Sequence, residues 1–540
     1  MCSPPQILRS DVRVHRRWIW RIAPIILVVA VIAFGAISIT STYRIFAHTV
    51  DEPAHLAAGI ELLDRGTYRY EQQHPPLARL AVAIGPYLLG ARSHGKADIF
   101  DEGLAVLYQS SDYAAVLSAA RFGVLPFFVT LVAIACVWAY RDFGVVAAVA
   151  TAAILATTPP VLTHAGLATT DIPVAAMFVS ALFAFRLWLK SPSIGRGALV
   201  GATAALAVTS KLSALAFLPA SFACTAALYF LCNRERRPRP LTVPDILLGL
   251  AAGIGTSALA IYLVYGCPAD PTQPFRQLSA GVTEVLEHNA KGHVSFFCGL
   301  ASFSGNWLFF PTALAVKTPL PFLCLFGIAA FVILRDHRQD WRYLAPLASV
   351  AALLGIAMLS HLNLGSRYLL PLYPLTAIIA GSGAAYLLRT RAWGSVLVGG
   401  LLIGQVSASA GASPDYLAYF NPLAGAHPEK LLVDSDLDWG QDVNRVATEL
   451  QKRGITQVAT ALHTNADLSR HGFPSYSEME WDEPTTGWVA ISLTRLAFGQ
   501  SAPPFDGYRW LERYTPVATI GKTVRLYHIQ AEQSRAAVNQ

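Results

Sequence analysis

The sequence predicts a polytopic α-helical membrane protein that carries a small α/β domain at its C-terminal end. Three observations predict it. Of 540 residues, 54% are hydrophobic and only 14% charged, against roughly one-quarter charged in a soluble domain. About eleven apolar stretches approach the roughly 20 residues needed to span a bilayer. Lys and Arg collect in alternate segments between those stretches, the asymmetry that sets the orientation of a membrane chain.

The stretches run at 18–42, 114–140, 143–158, 171–189, 196–209, 212–232, 243–265, 306–334, 342–360, 368–388 and 392–410. Arg9, Arg13, Arg16 and Arg17 precede the first. That stretch is longer than a signal peptide's apolar region, so it reads as an uncleaved span with residues 1–17 on the cytoplasmic side. On this topology the inner segments hold Arg141, Lys190 with Arg196, the basic run 233–240, the segment 335–342, and Arg389 with Arg391. The outer side then receives a long loop at 43–113, a short one ending at Asp171, a loop at 266–305, the patch 361–367 and the tail from 411. Residues 18–410 form the membrane domain and 411–540 an extracytoplasmic domain.

Within the outer loops, 53–63, 76–89 and 283–300 place apolar residues at helical spacing, as helices lying along the membrane surface would. The tail changes character. Residues 430–434, 455–462, 488–493 and 524–529 read as strands, and 441–453 as an amphipathic helix ended by Gly454. A net charge of +7 and a pI near 9.0 do not point to nucleic acid, because the cations sit in short segments between spans. The seven cysteines show no C-x-x-C spacing, so neither a disulfide framework nor a zinc site is indicated.

The polar chemistry falls on the predicted outer side. Asp51 and Glu52 follow the first span directly, and adjacent carboxylates there fit a general base with a tuning partner, or the capped start of a helix. His74-Pro75-Pro76 stiffens the entry to a helix bearing Arg79, which fits either contact with an anionic headgroup or a simple break. Asp171 opens an apolar span, where a carboxylate is functional or capping. Lys211, Lys317 and Arg367 lie at the same side, as phosphate ligands or snorkelling anchors. Carboxylates for acid/base work beside cations for a phosphate fit group transfer from a phosphorylated lipid. In the tail, the run from Asp434 to Asp442 departs from a calcium loop, with glycine seventh and Arg445 twelfth. It reads as a strand end before an Asp-capped helix, with a metal or sugar site as the other reading.

Taken together, Asp51-Glu52, His74-Pro-Pro-Leu-Ala-Arg79, Asp171, Ser210-Lys211 and Arg367-Tyr368 resemble the GT-C membrane glycosyltransferases that use polyprenyl-phosphate sugars. The nearest branches are the bacterial protein O-mannosyltransferase and aminoarabinose-transferase relatives of glycosyltransferase family 39. The resemblance spans roughly residues 40–390. It implies a GT-C-like membrane domain in a bacterial-type inner membrane and transfer of a sugar to a protein, lipid or glycan acceptor. It implies that Asp51 is the base, with Glu52 beside it and Asp171 as second acidic residue. His74, Arg79, Lys211 and Arg367 would meet the donor's lipid phosphate; Lys317 joins them only by its predicted side. Gln73 and His74 replace the acidic residue and lysine of the aminoarabinose branch, so no metal ligand is carried over and a divalent cation stays open. A transporter or flippase of a lipid-linked or anionic substrate is the rival reading. It predicts internal repeats and mid-span charges, and the sequence shows neither clearly.

Overall fold

The computed structural model describes residues 8–109, 112–233, 242–501 and 505–530, with side chains from residue 22 onward. The side chains of Arg9, Arg13, Arg16 and Arg17, Cys2, and the basic run at 234–240 lie outside the described residues.

Helix α1 (Leu8–Thr40) leads to the first long loop, which contains α2 (Glu52–Arg65), α3 (Pro76–Leu88) and α4 (Ile99–Gln109). The bundle continues with α5 (Tyr113–Phe122), α6 (Leu125–Phe143), α7 (Val145–Ala156), α8 (Pro159–Ala165), α9 (Asp171–Lys190), α10 (Ile194–Ser210), α11 (Ala214–Cys232) and α12 (Val243–Val264). After α13 (Gln273–Lys291) and a hairpin of β1 (Ser295–Phe297) and β2 (Leu300–Ser302) come α14 (Phe309–Lys317), α15 (Leu320–Asp336), α16 (Trp341–Met358), α17 (Tyr373–Thr390) and α18 (Gly394–Ala412).

Among the described residues eight helices are long and apolar enough to cross a membrane, and ten if two bent pairs count as one span each. Each of the eleven apolar stretches is helical; α10, at 17 residues, is the one that falls short. Proline causes both bends. Pro159 and Pro160 separate α7 from α8 at 63°, and Pro319 and Pro321 turn α15 by 114° from α14. Each proline lacks the N–H that would continue the helix. The stretch 306–334, expected as one span, is therefore a broken pair.

Helices α9 and α17 form the centre. Both are buried on nearly every face, which explains why their apolar residues run all round rather than along a stripe. Beside α9, α10 and α12 pack through two small-residue motifs, Gly197 with Gly201 and Gly249 with Gly253. A Cβ added to Gly201 would lie 1.9 Å from the Gly253 carbonyl oxygen, and one on Gly197 2.0 Å from that of Gly249. Such close backbone approach characterises helix pairs in lipid. Thr256 Oγ1 and Ser257 Oγ donate across the seam to the carbonyls of Ala198 and Gly201 at 2.8 and 2.9 Å.

The C-terminal unit is α/β. Its sheet has the order β4-β3-β5-β7-β6, built from β3 (Gln457–Ala461), β4 (Ser475–Glu478), β5 (Gly487–Ser492), β6 (Ala518–Ile520) and β7 (Val524–Ile529). The pairs of β3 are parallel and those of β7 antiparallel. Side chains alternate as strand geometry requires: Ala490 faces Val446 and Leu450 of α19 (Val443–Lys452), while Val489 and Ile491 join Leu493 and Leu496 of α20 (Leu493–Ser501) on the other face.

Two further expected elements differ. Residues 430–434 form no strand: 3-10 turns at Pro428–Lys430 and Asp434–Asp436 occupy the segment, and Asp434 adopts φ 55°. The helix expected at 283–300 instead begins at Gln273 and stops at Lys291, because Gly292 takes φ 76° and the chain reverses into the β1–β2 hairpin.

Candidate active site

Two ion pairs meet at one end of the bundle. Asp51 precedes α2 without capping it, for its side chain makes no cap hydrogen bond. Its carboxylate instead accepts from Arg367 Nη1 at 2.6 Å. Arg367 stands in the 3-10 turn Ser366–Leu372 that leads into α17, where its Nε donates to the Leu364 carbonyl at 2.8 Å. Asp171, in the first turn of α9, accepts from Lys211 Nζ at 2.6 Å, just beyond the end of α10. Arg367 lies within the electrostatic reach of Asp171, so the two pairs share one field. Asp51 is 29% exposed, while Arg367 and Lys211 are each 12% exposed. His164 of α8 borders the same group, fully buried, and its Nδ1 has no hydrogen-bond partner among the described residues; neither has Asp171 Oδ2.

The other expected site residues are bonded within the chain. Glu52 points away from Asp51 and is 1% exposed. It accepts from Arg121 Nε and Nη2, Ala168 N and Thr49 N, all at 2.8 Å. Burial pushes the Glu52 carboxyl up, but the Arg121 charge and these hydrogen bonds outweigh it and hold the group below the usual carboxylate range. Arg121 also donates to the carbonyls of Tyr43, Phe46 and Ala47. Glu52 is thus held as a strut of the turn that presents Asp51, paired with Arg121 and closed off from solvent.

Arg79 is fully buried and occupied by the first loop itself. It donates to His55 Nδ1, to Tyr68 Oη, to the carbonyls of Glu71 and His74, and to the Glu71 carboxylate. His74 completes the set through Glu71 Oε1 at 2.9 Å. Burial, and then the Arg79 charge, push the His55 imidazole well below its ordinary range, so it accepts from Arg79 as a neutral ring. Lys317 is equally committed: its Nζ donates to the carbonyls of Leu417 at 2.8 Å and Asp436 at 2.6 Å, beneath the Phe420 ring. Arg79 and Lys317, expected to meet a lipid phosphate, here donate to groups of the chain itself: Arg79 to five groups of the first loop and Lys317 to two backbone carbonyls.

The acidic run of the tail comes down onto this end. Its carboxylates are used one by one. Asp436 accepts from Ser366 N at 2.9 Å, Asp438 from Thr494 N at 3.2 Å, and Asp442 from Thr523 Oγ1 at 2.6 Å and Arg445 Nη1 at 3.1 Å. Asp434 pairs with His463 Nε2 at 3.1 Å. Among the described residues no three His, Cys, Asp or Glu side chains gather as metal ligands.

Sequence reasoning missed Arg121, Glu71, His164, Trp439 and His463. A signal existed for Arg121, a lone charge within an apolar stretch. Glu71 lies three residues before His74, within helical-turn reach. Nothing in one sequence brings Trp439 or His463 to the membrane segments.

The described residues thus form a many-helix bundle that pairs carboxylates with cations at one end, beneath an α/β unit. Residues 116–262 match the family described as Dolichyl-phosphate-mannose-protein mannosyltransferase. The chain shares its fold with ArnT from Cupriavidus metallidurans in the apo state, at TM-score 0.50 and 15% identity over 92% of this chain and 97% of that one. The same enzyme bound to undecaprenyl phosphate superposes at TM-score 0.46 with 14% identity, over 92% and 97% of the two chains. The archaeal oligosaccharyltransferase AglB from Archaeoglobus fulgidus gives 0.46 and 11%, over 91% of this chain and 72% of that one. No curated protein matches the chain.

Proposed function

We propose that this protein transfers a sugar from a polyprenyl-phosphate donor to an acceptor hydroxyl at the extracytoplasmic face of the membrane. The observation that carries the reading is that Asp51, a partly exposed carboxylate, is paired with Arg367, a cation that also lies within the electrostatic reach of the Asp171–Lys211 pair. The acceptor oxygen attacks the anomeric carbon, its proton passes to Asp51, and the bond from that carbon to the phosphate oxygen breaks with its electron pair. The departing phosphate needs charge stabilisation rather than a proton. Arg367 supplies it with a planar donor fork suited to phosphate, and Lys211 with a point charge. Asp171 holds Lys211 in place. Arrival of the phosphate draws Arg367 from Asp51 and frees that carboxylate to act as base.

An apolar cavity of about 440 Å³ between α9, α10, α11, α12 and the start of α13, lined by Trp188, Phe222, Ile254 and Phe275 among others, supports a donor with a long hydrocarbon tail. Purified protein supplied with a panel of polyprenyl-phosphate sugars tests the proposal. Transfer is expected to fall at least 100-fold in Asp51→Asn, the range of general-base contributions being roughly 10²–10⁴. Undiminished transfer by that variant removes Asp51 as the base, and a panel that is neither bound nor turned over favours transport instead.

A further inference from the structure

The C-terminal unit touches the Asp51–Arg367 pair from both sides. The backbone N–H of Val50, immediately before Asp51, donates to the Trp439 carbonyl at 3.1 Å, and the Val50 carbonyl accepts from Asn465 Nδ2 at 3.0 Å. Three residues earlier, Ala47 N donates to the Gln441 carbonyl at 3.0 Å. On the other side, Ser366 N, immediately before Arg367, donates to Asp436 Oδ1. Gly365 permits this approach: it takes φ 84°, and a Cβ there would lie 2.4 Å from Ser435 Oγ. The Trp439 ring closes the arrangement, with the Arg367 guanidinium carbon 4.4 Å from its centroid.

The loop bearing Trp439 is itself fixed. Trp439 is 2% exposed, its backbone N–H donates to Gln441 Oε1 at 2.7 Å, and Gln441 Nε2 donates back to the Leu437 carbonyl at 3.0 Å. Lys317 anchors the same loop from the bundle through the Asp436 carbonyl. A guanidinium over an indole face is attracted by the ring's negative potential, more strongly where water is excluded. The ring also leaves the edge of the guanidinium, where its N–H donors lie, free to address Asp51.

We propose that Trp439 is a positioning residue of the active site, and that the loop 434–441 sets the spacing and orientation of Arg367 against Asp51. The proposal rests on the reading above for the identity of the bound phosphate, while the clamp itself does not depend on it. Trp439 acts through Arg367 rather than on substrate, so its ring character matters and its bulk alone does not suffice.

The test compares Trp439→Phe, which keeps an aromatic face, with Trp439→Leu, which keeps apolar volume. Binding of undecaprenyl phosphate to purified protein in detergent is expected to weaken about tenfold in the leucine variant and less than about threefold in the phenylalanine one. Equal weakening in both overturns the ring–cation contact as the cause. A second measurement is independent of any donor. The melting temperatures of Trp439→Leu, Arg367→Leu and the double variant are compared. The double variant is expected to lose less than the sum of the two single losses, and additive losses overturn the coupling. If the unaltered protein does not bind undecaprenyl phosphate, the donor reading fails and the melting cycle alone decides the clamp.

Discussion

At the scale of single residues, the adjacent carboxylates Asp51 and Glu52 show how burial divides like groups. Glu52 is enclosed with Arg121, and removing one partner of such a pair leaves an uncompensated buried charge. Glu52→Gln is therefore expected to destabilise the fold by about 3–5 kcal/mol, read as a lowered unfolding midpoint in detergent, while a stability change below about 1 kcal/mol contradicts the strut. The Asp434–His463 pair makes a prediction in pH. Burial disfavours both charges, yet the hydrogen bond and mutual attraction prevail, holding Asp434 below its ordinary 3.8 and His463 above its ordinary 6.5. A depressed carboxylate contributes stability above its unfolded value and loses it as pH falls through the folded one. A raised histidine contributes fully below 6.5 and loses its share as pH rises through the folded value. The pair thus stabilises most between about pH 4 and 6.5. The melting temperature should decline above about pH 6.5 in the unaltered protein and more shallowly in His463→Gln; equal slopes refute the pairing.

At the scale of elements, the seam of α10 and α12 depends on absent side chains. Gly201→Leu has no room against the Gly253 carbonyl and is expected to lower stability by at least the roughly 1–3 kcal/mol of overpacking. Gly255 on α12 is different, for a Cβ added there would meet nothing within 4 Å, and Gly255→Ala should leave the melting temperature unchanged or raised. Equal effects of the two substitutions would show that backbone approach does not hold the seam. The helices themselves were readable, since apolar length and periodicity are local properties. Breaks were partly readable: Pro319 and Pro321 lie in plain view within 306–334, but apolar length masked them. The strand expected at 430–434 failed because its apolar run, Leu431 to Val433, leads straight into Asp434 in the left-handed region, which pattern alone does not reveal.

At the scale of the whole molecule, pairing is what one sequence withholds. Topology placed Asp51, Asp171, Lys211 and Arg367 on a common side, and the fold brings those four together. It did not say that Asp51 meets a cation 316 residues away, nor that Arg79 and Lys317 would bond to groups of the chain itself. A buried cation recruits the nearest carbonyls that folding supplies, and those are set by loop geometry rather than by residue type. The same reasoning explains the tail's acidic run, which reads in sequence as a strand end before a capped helix, or else a metal or sugar site, and becomes a set of staples once Ser366, Thr494 and Thr523 are in place.

The hydrogen bond from Val50 to Trp439 joins one of the earliest turns to be synthesised with one of the last. Chains fold as they emerge, N-terminal parts first, so Asp51 waits through the making of nearly the whole bundle before its surroundings exist. An unfinished chain holds the carboxylate but neither Arg367 nor the loop that orients it. On the proposed reading, competence is thereby tied to completion: a nascent chain meets the lipid of its membrane before Asp51 has its partners.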